Sequence, residues 1–198
     1  MEQRHPRKPA SAAAVKAAAA KTAKEAAGKQ AKGTRRGIVS SSHLVSPRSV
    51  ELSEFEFGLI VAWNAFSRWA MRCMAAAGCP DLTITDVLVL HHINHRARNK
   101  KLADICFVLN YEDTHVVAYS LKKLLTAGLA QGERQGKEVF YSPTAAGEAA
   151  VQKYREVRET CLIDNLDTER NPDIGEMARL LRTMSGLYDQ AARAATSL

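Results

Sequence analysis

Residues 101–142 read KLADICFVLNYEDTHVVAYSLKKLLTAGLAQGERQGKEVFYS, and the spacing of their apolar positions decides the fold. Leu102, Ile105, Cys106 and Leu109 recur at three- and four-residue steps, which gives a short helix with one buried face. Asn110-Tyr111-Glu112 breaks it, and the carboxylate of Asp113 is placed to cap a second helix. In THVVAYSLKKLLTAG, Val117, Leu121, Leu124 and Leu125 form the inward stripe, leaving Thr114, His115, Ala118, Tyr119 and Lys122 outside. Gly128 supplies the left-handed residue that stops this helix. LAQGER and KEVFYSP then alternate in period two around Gln135-Gly136, the pattern of a β-hairpin, with Arg134 and Lys137 at its tip. Helix, turn, helix and hairpin in this order predict a winged helix-turn-helix: a mainly α fold with a small β-hairpin wing.

Residues 82–151 resemble the MarR family of winged helix-turn-helix transcription regulators. The resemblance is carried by LTITDVLVLHHI (82–93), ADICFVL, the AGLAQGER segment leading into the wing, and YSPTAAGEAAV (141–151). The last is similar to the family's Leu-Thr-x-x-Gly start of a long C-terminal helix. Two features depart from the family pattern. The wing has Glu133-Arg134-Gln135-Gly136-Lys137 in place of an Asp-x-Arg pair, and the turn between the two helices is one residue longer, so base-reading positions can shift by one. The resemblance implies a homodimer that binds specific double-stranded DNA, represses or activates transcription, and answers to a small apolar or aromatic ligand.

Charge is distributed as a polyanion partner requires. The first fifty residues hold eleven Lys and Arg against two acidic residues, whereas the remaining 148 hold seventeen against nineteen. Within that body, residues 96–137 carry eight basic and four acidic residues, so a basic face sits on an otherwise acidic domain. Residues 1–47 contain no aromatic residue and are rich in Ala and Lys, which predicts a disordered basic tail. Lysines at 16, 21 and 24 interrupt any secretory core, and no stretch reaches the roughly twenty apolar residues that span a bilayer. Together these features predict a cytoplasmic protein that joins the nucleoid when bound, with no membrane partner.

Residues 48–198 are expected to form one winged-helix domain, with a DNA-binding core at 82–143 and dimerisation helices at 53–77 and 144–194. Ser53-Glu54-Phe55-Glu56 reads as a capping box. Phe55, Leu59, Trp63, Phe66, Ala70 and Met74 follow at helical steps up to Gly78. Thr144 opens another helix, and after a break near Asn171-Pro172 a last one carries Ile174, Met177, Leu181, Met184, Leu187 and Tyr188. In the family such helices interlock two subunits and set the recognition helices ~34 Å apart.

The candidate DNA contacts are Thr114, His115, Ala118, Tyr119, Lys122 and Lys123 on the second helix, Arg134 and Lys137 on the wing, and Arg96, Arg98, Lys100 and Lys101 before it. Trp63, Phe66 and Trp69 are a candidate ligand wall, and Cys73 or Cys79 a candidate redox switch. His91 and His95 lie one helical turn apart, but a helix terminus beside a basic loop fits them better than a metal, and no cofactor is expected. No phosphate loop, catalytic triad or recognisable carboxylate pair is present, so the chain does not read as an enzyme. An architectural DNA-binding protein, a redox- or metal-responsive regulator and a protein-interaction module all remain compatible with the same residues.

Overall fold

The computed structural model describes residues 45–95 and 99–198. The tail expected over residues 1–47 falls almost wholly outside them, as do Arg96 and Arg98. The chain divides into two compact units, residues 1–60 and 61–198.

In the first unit, Ser46 and Ser49 pair across a turn at Pro47, and the Arg48 amide donates to Ser46 Oγ. This turn starts helix α1 (Val50–Ala76) earlier than the sequence pattern indicated. Ser53 is consequently a buried residue inside the helix rather than its cap. A capping serine must lie outside helical geometry, and here the preceding turn already provides the break.

In the second unit α1 ends at Gly78, whose φ of 95° only glycine adopts without strain. Helix α2 (Ile84–Asn94) follows, opened by a true capping box: Asp86 N donates to Thr83 Oγ1 while Thr83 N donates to the Asp86 carboxylate. Strand β1 (Lys100–Lys101) leads into helix α3 (Leu102–Leu109). Asn110 turns the chain in the left-handed region at φ 56°, and helix α4 (Thr114–Thr126) begins behind the Asp113 cap. Strands β2 (Ala130–Gln135) and β3 (Glu138–Pro143) form the hairpin, and β1 adds to β3, giving an antiparallel sheet of order β1-β3-β2. Helix α5 (Ala145–Arg158) runs on into a π-helical segment, Glu159–Ile163. After a short 3-10 turn, α6 (Asn171–Ala195) closes the chain with Pro172 in its first turn, where the missing N–H costs nothing. The described chain is thus mainly helical with a three-stranded wing.

The core forms where the C-terminal end of α1 meets α2, α3, α4 and α5. Met74, Val87, Val89, Leu90, Ile93, Ile105, Val117, Leu121 and Leu124 are all buried there. Leu125, expected in the inward stripe, is instead exposed at 38%, and Ser120 occupies the buried face in its stead. Position 125 lies about 100° around the helix from Leu124, at the edge of the stripe.

A close approach locks α5 to the base of the wing. Thr144 caps α5 by accepting from Gly147 N, donates its hydroxyl to Gly128 O at 2.6 Å, and donates its amide to Leu129 O at 3.1 Å. A Cβ on Gly147 would meet Leu129 O at 2.0 Å, a clash that backbone cannot relieve without moving. The glycine three residues after the threonine therefore lets a helix start directly against the β2 strand. Gly147→Ala is expected to destabilise the protein by about 3 kcal/mol, read from the urea midpoint; an unchanged midpoint would contradict this approach.

Candidate nucleic-acid interface

Helix α4 owes its position to one apolar face and its start to one carboxylate. Asp113 Oδ1 accepts from His115 N at 2.8 Å, and Val117, Leu121 and Leu124 anchor the helix to the core. His115, Tyr119 and Lys122 then share the opposite stripe with half-buried Ala118 beside them. Tyr119 is 72% exposed, far more than a core aromatic would be. Thr114 stands exposed at the helix start, and Tyr119, Lys122, Thr126 and Ala127 border an open groove along the outer face.

Lys123 departs from the outward role expected of it. Its ammonium reaches Asp81 O at 2.6 Å and Asp86 Oδ2 at 2.8 Å, so it is engaged on the α2 side of the helix. Asp86 Oδ1 also accepts from Ser120 Oγ at 2.6 Å. Burial alone would raise the Asp86 pKa, but the bonds from Lys123, Ser120 and Thr83 outweigh it and hold the carboxyl below its usual value. Asp86 was not singled out from sequence, although two signals pointed to it: the Thr-x-x-Asp capping pattern, and a serine at a core position of α4 that had to find a polar partner.

The wing follows α4 in the chain. Arg134 and Lys137 are exposed at its tip, and Arg134 Nε donates to Gly136 O across the turn. Gly136 takes φ 65°, as the tight reversal requires. The lysines before the wing are partly committed elsewhere. Lys101 pairs with Glu138 and lies 5.2 Å from the Phe140 ring centroid, while Lys100 donates to the His95 carbonyl.

Away from this surface, a cleft of about 400 Å³ opens between α1, α2 and α5. Phe66, Val87, Tyr154 and Val151 make it apolar, and Arg155 and Arg158 stand at its side. Of the three aromatics expected to form a ligand wall, only Phe66 lines it. Trp63 is half exposed and tilted against Phe66 at 6.0 Å, and Trp69 packs partly buried against the core. His91 also lines the cleft, its ring edge-on to Tyr154 at 4.4 Å and its Nε2 buried without a hydrogen-bond partner among the described residues. Cys73 is buried, donates to Tyr154 O, and has its thiol pKa raised by burial; burial raises that of Cys79 too. A sensor thiol needs the opposite shift.

Comparison with known proteins agrees with this geometry. Residues 82–147 match a family described as a winged helix DNA-binding domain. No curated protein matches its sequence. Its fold is similar to the crystal structure of AbfR of Staphylococcus epidermidis, at 18% identity and TM-score 0.57 over 73% of this chain and 99% of that one. It is similar to MarR at 17% identity and TM-score 0.52, over 66% and 97%. It is also similar to Streptococcus pneumoniae FabT in complex with DNA, at 15% and 0.54 over 69% and 99%. This chain shares the fold of these three structures.

Burial lowers the His91 pKa below its ordinary 6.5, and burial with nearby Lys100 lowers that of His92. The unfolded chain therefore binds more protons below pH 6.5 than the folded one, and stability is full above that pH and falls as pH drops through it. His91→Phe, which keeps an aromatic edge against Tyr154, is expected to flatten the fall in urea midpoint between pH 7.5 and about pH 5. An equally steep fall in the variant would rule out His91 as a source.

Proposed function

We propose that this protein is a MarR-type transcription regulator that binds specific double-stranded DNA as a homodimer, with α4 in the major groove and the wing beside it. The observation that carries the reading is the pairing of an outward His115/Tyr119/Lys122 stripe with a basic-tipped hairpin on one winged-helix domain. His115 and Tyr119 read base edges, with Ala118 beside them. Thr114, Lys122, Arg134 and Lys137, together with Arg96, Arg98 and the basic tail, neutralise phosphates. Lys100 and Lys101 contribute charge near the backbone. Lys123 braces the helix from its flank, through Asp86 and Asp81.

The dimer reading is supported by α6. Over 25 residues it has no buried side chain in the single chain, yet Ile174, Met177, Leu181 and Leu187 recur along it. An amphipathic helix about 37 Å long does not leave such a stripe in water without an occupant. A second subunit meets that need, and brings a second α4 to a two-fold site. The cleft beside Phe66 and Tyr154, with two guanidinium groups at its side, suits a small aromatic ligand that shifts the spacing of the reading helices. Among the described residues, no helix is long and apolar enough to cross a membrane.

Selection from a random DNA pool is expected to return an inverted repeat; recovery of no preferred sequence would leave only sequence-indifferent binding. On the selected site, Tyr119→Ala or His115→Ala should cost ~1 to 3 kcal/mol while barely altering binding to random DNA. Lys122→Ala, Arg134→Ala and Lys137→Ala should weaken both and reduce the slope of log K against log salt by about one. The wild-type protein should sediment as a dimer at micromolar concentration. Leu181→Ser should shift it toward monomer and make its unfolding more concentration-dependent. A wild-type monomer under those conditions would refute the two-fold arrangement.

A further inference from the structure

We propose that Asp86 is a positioning residue for sequence recognition, fixing the rotation of α4 about its own axis through Ser120 and Lys123. The inference rests on the reading of α4 as the recognition helix. Val117, Leu121 and Leu124 hold α4 to the core, but apolar contact is non-directional and resists rolling only weakly. Directional bonds supply what it lacks. Asp86 is 1% exposed, and its carboxylate accepts from Ser120 Oγ at 2.6 Å and Lys123 Nζ at 2.8 Å, two residues one turn apart on α4. The same carboxylate accepts from Thr83 N at 2.8 Å, which ties it to the start of α2. Lys123 adds a third strut to Asp81 O at 2.6 Å.

One buried group therefore grips α4 at two points on its flank, between the core face and the reading stripe. A roll of about 15° carries a side-chain tip at roughly 8 Å from the axis through about 2 Å. A hydrogen bond to a base edge does not survive that displacement, whereas a long lysine follows its phosphate. Releasing the grip thus lowers selectivity and leaves general affinity largely in place.

The test uses the full chain, as wild type and as Asp86→Asn, Ser120→Ala and Lys123→Met. Each is titrated with the selected duplex and with a random duplex of equal length at one salt concentration, at a temperature where circular dichroism shows the variant folded. Each substitution is expected to weaken the selected duplex about tenfold, the scale of one lost base contact, and to leave the random duplex within about twofold. Combining Asp86→Asn with Lys123→Met should cost no more than the worse single change, since both cut one network. If Asp86→Asn does not fold, Ser120→Ala decides, because it keeps both the carboxylate and its lysine. Equal losses on both duplexes would make Lys123 a phosphate contact or the network merely structural, and overturn the proposal, as would unchanged selectivity. A wild type with no preferred sequence would sink the recognition reading and this inference together; a selective wild type whose variants stay selective sinks this inference alone.

Discussion

Helix α4 rests on α2, a helix that water barely reaches. Val87, Val89, Leu90 and Ile93 are buried around its circumference, so it presents no solvent face of the kind an amphipathic surface helix keeps. The C-terminal end of α1, with α3, α4 and α5, packs around it in one core. Asp86 is the one fully buried polar residue on it, and its carboxylate is held by Ser120, Lys123 and Thr83. The capping role of Asp86 is local, within three residues, whereas its bonds to Ser120 and Lys123 cross more than thirty. One side chain thus starts one helix and grips another.

Much of this architecture could be read from spacing. The helices at 102–109 and 114–126, the left-handed stop at Gly128 and the reversal at Gly136 all follow from local rules, in which each residue and the one it answers lie within a turn of one another. The start of α1 did not follow, because periodicity fixes which face of a helix is apolar and says little about where the helix begins. The turn at Pro47 set that limit, and Ser53 became interior. Leu125 was misplaced for a related reason: a stripe read at three- and four-residue steps is wider in sequence than the surface it covers.

The interface residues divide along the same line. Exposure of His115, Tyr119 and Lys122 was implied by the burial of Val117, Leu121 and Leu124, since a helix has only so many faces. The inward turn of Lys123 was not, because its carboxylate lies 37 residues earlier in the chain. Lys101 is similar, held by Glu138 across the sheet. Charge counted along a sequence is blind to such pairings, so it overstates how many cations are free to meet a polyanion. The aromatic residues show the converse. Trp63, Phe66 and Trp69 sit at neighbouring helical positions, yet they separate into a half-exposed ring, a cleft wall and a core contact, because a few tens of degrees around α1 change what each one meets.

The junction at Thr144 has a mechanical meaning. Strand β3 ends at Pro143 and α5 begins at Ala145, with one residue between them, and that residue is fastened to Gly128 and Leu129. A joint with no spare chain and no room for a methyl group cannot bend. The wing is therefore a rigid extension of α5, and a tilt of that long helix swings the hairpin tip as a lever swings its end. A tilt of α5 is thus not absorbed at Thr144, and the wing travels with the helix.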